Sequence, residues 1–271
     1  MEFILFKLAF ALCTLSTAGY LLSLLVKRVV LAKISTWILA IGSGFLTVNL
    51  VLALINSAGH TNLSSREFFS FCALMVAGVY LVFQMKTKTR LLGAFITPFI
   101  LLLMIAATGQ DAGKSLVPEG MRSWLTTAHL VLVIAGEALF VLASCAGAMF
   151  IIQNSFLKHK KLCRMSRLLP ALHDLDRINH LCLLWGFPVL TLGIFAGIVF
   201  AGFTWASGWA ADPKIVWTFV VWATYGFLLH QRMAIGWRGI RMAVLSSTFF
   251  ILFLLSYWCV RICFSTLHDF I

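Results

Sequence analysis

The sequence predicts an all-α, polytopic integral membrane protein: a bundle of eight transmembrane helices with both termini outside. Three observations carry that prediction. Apolar residues make up 61% of the 271 residues and charged residues only 11%, whereas an ordinary soluble domain carries about 25% charged residues. So few polar groups could not cover a surface in water. The apolar residues also fall into eight separate runs, each long enough for the roughly 20 helical residues that cross a ~30 Å hydrocarbon core. Helices satisfy their own backbone hydrogen bonds in lipid, so a helical bundle is the natural architecture. Finally, Lys and Arg are distributed unevenly over the connections, and cytoplasmic loops are the ones that gather them.

Run one, 3–26, lacks a basic stretch before it and is followed by Lys27-Arg28, so it reads as a first span with its N-terminus outside rather than as a cleaved signal peptide. Runs two to four, about 34–56, 67–85 and 91–108, are joined by a loop at 57–66 and a short basic turn containing Lys86, Lys88 and Arg90. After a second loop at 109–122 comes the fifth run, 123–153, which is longer than a bilayer needs and projects beyond it at one or both ends. The connection 154–177 is basic and contains Pro170; runs 178–203, 215–235 and 242–264 complete the set. Lys27, Arg28 and Lys33 lie on one side with Lys86, Lys88 and Arg90. Lys158, Lys160, Lys161, Arg164, Arg167 and Arg177 join them there, as do Arg232, Arg238 and Arg241. That side, with 15 of the 21 basic residues, is assigned to the cytoplasm. Lys7, Arg66, Lys114, Arg122, Lys214 and Arg261 fall on the other. The chain reads as a single membrane domain, 1–271, with a four-span part over 1–123 and a four-span core over 124–271 carrying an outer Trp-rich loop at 204–217.

The net charge of +12 does not indicate nucleic-acid binding, because the charges sit in short clusters between apolar runs. The seven cysteines form no CxxC, and in particular no C-x-x-C-H, so the chain is not itself a c-type cytochrome. No nucleophile with a base, no metal-hydrolase cluster and no nucleotide loop is visible. The expected work is therefore binding or transport rather than catalysis.

Membrane helices rarely hold ionisable side chains without a reason. The predicted topology puts His129, near the outer end of span five, and His268, after the last span, at one membrane level. Two neutral imidazoles there could ligate a haem iron axially within an apolar, aromatic surround, or could simply anchor helix ends at the interface. The loop after span six is unusually aromatic. Trp205 and Trp209 are four apart, so a helical turn would put them on one face, although Trp also marks membrane interfaces. Asp212-Pro213 reads as an N-cap followed by the first residue of span seven. Glu137 lies two turns inward of His129 on roughly the same face, where it would steady a cationic group or a haem pocket, or serve as a packing carboxylate. His60, His159 and His173 read as solvated loop residues.

The stretch Trp205…Trp209…Asp212-Pro213-Lys214…Trp217 resembles a reduced form of the tryptophan-rich WWD segment of the haem-handling proteins of cytochrome c biogenesis. Trp222-Ala-Thr-Tyr225 through His230 and Gly236-Trp237-Arg238-Gly239 are similar to the same family. So are Gly136-Glu137-Ala-Leu-Phe140, Leu169-Pro170, Asp176-Arg177 and Gly186-Phe187-Pro188…Leu192-Gly193. The resemblance covers about 124–271 and points to the CcsA/CcmC proteins, above all the stand-alone eight-span HemX-like branch. It implies a haem edge facing the Trp loop outside the membrane, with His129 and His268 flanking it as ligands. It implies that His230 is an intramembrane ligand of an inner site, for which His180 is the best available partner. Trp205, Trp209, Asp212, Trp217 and Glu137 then contribute to the cofactor surround. Haem b is the implied cofactor, other cytochrome c maturation proteins the implied partners besides the lipid bilayer, and the inner (cytoplasmic) membrane the implied location. The chain departs from the full segment in having fewer tryptophans, Ala210-Ala211, and Ile215 where a Glu follows the Lys. Two other functions remain open: a regulatory membrane protein of tetrapyrrole synthesis, acting through 154–177, and a di-haem cytochrome b-type subunit. The second is disfavoured because no single span carries two histidines.

Overall fold

The computed structural model describes residues 2–26, 28–56, 64–87, 89–110, 124–159, 169–204 and 209–263. They are all-helical: α1 (Glu2–Val26), α2 (Val29–Asn56), α3 (Ser65–Thr87), α4 (Gly93–Thr108), α5 (Trp124–Lys158), α6 (Leu172–Thr204), α7 (Pro213–Met233) and α8 (Ile240–Cys263). Each coincides with one predicted run. Six helical segments are long and apolar enough to cross a membrane: α1, α2, α3, α5, α6, and α4 together with the turn Arg90–Leu92 before it. α8 is apolar over Ile240–Ser256. α7 has the length, 21 residues, but not the hydropathy. Its ends carry Lys214, His230, Gln231 and Arg232 and its middle Trp222, Thr224 and Tyr225, so its apolar character is aromatic and amphipathic rather than aliphatic.

The helices alternate in direction, as their contacts show. At one end of the first four, Asn56 donates to Glu2 Oε1 at 2.5 Å and Arg66 to the Gln110 carbonyl at 3.2 Å, joining the start of α1 to the end of α2 and the start of α3 to the end of α4. At the other end a hydroxyl–amide network closes the group. Thr36 Oγ1 lies 2.8 Å from both Tyr20 Oη and Gln84 Nε2, and Tyr80 Oη lies 3.0 Å from both Tyr20 Oη and the Arg90 carbonyl. α1, α2 and α3 contribute side chains and the turn leading into α4 contributes a carbonyl, and Tyr20 and Tyr80 are fully buried. Polar side chains satisfied between helices hold a bundle together where lipid supplies no hydrophobic drive.

α5 is the central strut, packing most extensively on α6 and also on α8 and α3. The seam between α5 and α6 is built on glycine. Gly186, Gly193 and Gly197 of α6 face Phe140, Val133 and His129 of α5, while Gly136 of α5 faces Leu190. The spacings of three and four residues run in opposite directions along the two helices, as antiparallel neighbours require. A methyl group at any of these glycines would lie within 3.0 Å of the opposite helix, so the backbones approach as closely as small-residue interfaces permit. α8 joins through Gly147, which faces Ser246 and Ser247, and through Asn179, whose Nδ2 donates to the Ala143 carbonyl at 2.8 Å and Ser246 Oγ at 2.7 Å. Phe99 of α4 packs edge-on against Phe250 of α8.

Candidate functional site

His129 sits in the second turn of α5, against the glycine seam. Its Nδ1 lies 2.8 Å from the Gly193 carbonyl of α6. A carbonyl oxygen can only accept, so Nδ1 carries the proton and Nε2 is left with the lone pair. This is the tautomer of a metal-ligating histidine, whose second nitrogen is usually held in this way. Gly197 makes the arrangement possible. A Cβ there would stand 2.6 Å from Nδ1 and 2.7 Å from Cε1 of the ring. Gly197→Ala should therefore push the ring off the Gly193 carbonyl while leaving helix content unchanged. A His129 ring N–H signal unchanged in Gly197→Ala by NMR would mean that the ring is held by something else.

Along α7 the aromatic residues line up towards α8. Trp217 meets Phe253 edge-on at 6.1 Å, and Tyr225 meets the same Phe253 at 5.4 Å. Tyr225 also stacks on Phe140 of α5, and Trp222 stacks on Phe187 while its Nε1 donates to Thr191 Oγ1 at 2.9 Å. Trp217 belongs to an aromatic wall shared by α7 and α8. Trp209 is half-buried in a short 3-10 turn, Trp209–Ala211, leading into α7. Trp205 and His268 lie outside the described residues.

Asp212 takes the N-cap position of α7 in non-helical backbone, with Oδ1 accepting from Lys214 N at 2.9 Å and Ile215 N at 3.3 Å, and Pro213 following at the first helical position. The sequence reading of this dipeptide as a cap is borne out. Glu137 is exposed although Gly136 and Ala138 on either side are buried, so α5 turns this one carboxylate out of its packed face. It stands near Cys72 of α3 and Tyr225 of α7. Tyr225 is 2% exposed, and its hydroxyl has no hydrogen-bond partner among the described residues.

His180 and His230 fall at the opposite end of the bundle from His129. His230 is exposed in the last turn of α7. His180 is half-buried in α6, its Nδ1 unpartnered among the described residues, in the field of Arg232, Asp176 and Arg238. Beside it is a feature the sequence reading did not single out. Arg232 grips Asp176 with two parallel hydrogen bonds, Nη2–Oδ2 at 2.6 Å and Nη1–Oδ1 at 3.0 Å, and Gly239 N donates to Oδ1 at 2.8 Å. Among the described residues no three His, Cys, Asp or Glu converge on a metal-holding point, so this end carries no many-ligand metal centre within them.

The family model described as "Cytochrome C assembly protein" matches residues 61–268. Several relatives carry the name "Cytochrome c biogenesis protein CcsA". The protein of Chlamydomonas reinhardtii is 29% identical over 237 residues, covering 84% of this chain but 66% of that protein, just under two thirds of its length. That of Chlorella vulgaris is 29% identical over 262 residues, covering 83% of this chain and 82% of its own. That of Porphyra purpurea is 27% identical over 271 residues, with 83% and 85% covered.

Proposed function

This chain belongs to the cytochrome c assembly protein family, and from that premise we propose that it is a haem-handling assembly factor of cytochrome c biogenesis, holding haem b at the His129 end of the bundle. The observation that carries the reading is the fixed tautomer of His129, with Nδ1 committed to the Gly193 carbonyl and Nε2 left free to hold a haem iron. His268 supplies the second imidazole. The iron bound between them would supply a bis-imidazole redox couple. The rest of the site is protein work: Trp205, Trp209 and Trp217 give an aromatic face, Asp212 fixes the start of α7 beneath that face, and Glu137 marks the polar inner limit about 12 Å down the helix from His129 at 1.5 Å per residue.

The His129 end faces outward, and the end holding Arg232 and Arg238 faces the cytoplasm. This gives eight crossings with both termini outside, in the inner (cytoplasmic) membrane, with other maturation proteins as partners. His230 and His180 form the candidate inner site. Reporter fusions after residues 85 and 160 should be cytoplasmic and one after residue 271 external; an external reporter at 160 would invert the orientation and remove the outer site.

The test of function is haem titration of equally folded variants in detergent. His268→Ala should weaken haem binding, and the double change His129→Ala/His268→Ala should abolish the bis-imidazole spectrum. An unchanged spectrum and stoichiometry in His268→Ala and in the double variant would overturn the axial assignment.

A further inference from the structure

We propose that the start of α1, the start of α3 and the end of α4 form a binding site for one anionic phospholipid, separate from the haem-handling region. A cavity of about 290 Å³ opens there, lined by Phe3, Phe6, Lys7, Phe10, Arg66 and Thr108. Two of the lining residues are cations. Lys7 Nζ lies 4.2 Å from the centre of the Phe3 ring, and the Arg66 guanidinium lies 5.8 Å from Phe3 and 5.6 Å from Phe6. Neither meets a carboxylate among the described residues. Of the described acidic residues at this end, Glu2 accepts from Asn56, and Glu67 Oε2 accepts from the Ser64 backbone at 2.7 Å. Arg66 spends one nitrogen on the Gln110 carbonyl, and its Nε is buried with no partner among the described residues.

The chemistry asked for is an anion beside the two cations and an apolar body next to it. Phe3, Phe6 and Phe10 follow one another at three- and four-residue spacing, so they form a stripe on one face of α1. That stripe descends about 10 Å from the helix end at 1.5 Å per residue. A free phosphate would use the two cations and leave the aromatic stripe idle. A phospholipid uses both, its phosphate between Lys7 and Arg66 and one acyl chain along the phenyl rings. The cavity lies where helix ends meet the membrane surface, which is the level of the headgroups.

Native mass spectrometry of the detergent-purified chain, titrated with phosphatidylglycerol or phosphatidylcholine, tests this directly. One phosphatidylglycerol should be retained in preference to phosphatidylcholine. Each of K7Q and R66Q should lower that retention about fivefold, the worth of one cation near an anionic headgroup, and the double variant about 25-fold. The charge-keeping pair K7R and R66K should stay near wild type, and haem retention should be the same in every variant. If the double variant does not fold, the two single variants carry the test. Equal retention of the two lipids would overturn the proposal. Wild-type retention in K7Q and R66Q, or displacement of the lipid by inorganic phosphate alone, would do the same. Displacement by haem would assign the pocket to a tetrapyrrole carboxylate instead.

Discussion

Alanine at position 129 should cost the protein its haem while leaving its fold in place. The imidazole is half-buried at the α5–α6 seam and hydrogen-bonds to the Gly193 carbonyl. Its removal leaves a carbonyl that is already within the helical ladder of α6, so the stability loss should stay near the ~1 kcal/mol of an ordinary hydrogen bond. Losing an axial ligand is a larger matter. Even outer-shell partners of metal ligands are worth about 10- to 100-fold in affinity, and His129→Ala should exceed the upper end of that range. Comparison with Gly197→Ala separates the ligand from its support, since that variant keeps the imidazole and loses its aim. Haem affinity per folded chain, titrated in detergent, is the quantity to measure. An affinity for His129→Ala within a few-fold of wild type would make this residue an interfacial anchor.

The second large effect is structural. Arg232 and Asp176 form a two-pronged ion pair with side chains only 6% and 19% exposed, and Gly239 adds a backbone donor from the turn between α7 and α8. Gly239 and Gly236 hold positive φ, at 64° and 78°, a conformation glycine adopts without steric cost. The pair therefore ties the start of α6 to the end of α7 and to the turn that launches α8. Asp176→Ala would leave a guanidinium buried without a counter-charge, which costs about 3–5 kcal/mol. Asp176→Leu combined with Arg232→Met should be less destabilising than Asp176→Ala alone, because no charge is then stranded. Thermal unfolding of the three proteins in one detergent checks this. If Asp176→Ala unfolds at the wild-type temperature, the pair is not holding this end of the bundle.

Much of this architecture was legible in the sequence, because in a membrane protein the hydrophobic run and the helix are nearly the same object. Each predicted run became a helix, and Asp212-Pro213 announced the start of α7 through cap chemistry that depends only on adjacent residues. What stayed hidden depends on which helices touch. Arg232 was counted with the loop cations, but it lies in the last turn of α7 and is buried against a carboxylate 56 residues away. No spacing rule links those two positions. The support of His129 was half readable. Gly193-Ile-Phe-Ala-Gly197 is a GxxxG stretch and signals close helix approach, but which residue it receives follows only from the register of α5 against α6. Glu137 looked equally like a packing group or a site group. Which of the two it is depends on what α3 and α7 bring against it, and no spacing rule within α5 carries that.

The account turns on whether this chain holds haem between two imidazoles. Absorption spectra of the purified wild-type protein, oxidised and reduced, with haem quantified per chain, test that claim most directly. The prediction is a low-spin bis-imidazole spectrum at one haem or more per chain. That spectrum should be lost in His129→Ala/His268→Ala and weakened in Gly197→Ala. A protein that purifies folded without haem, and gives no bis-imidazole spectrum when haem is added, would contradict it.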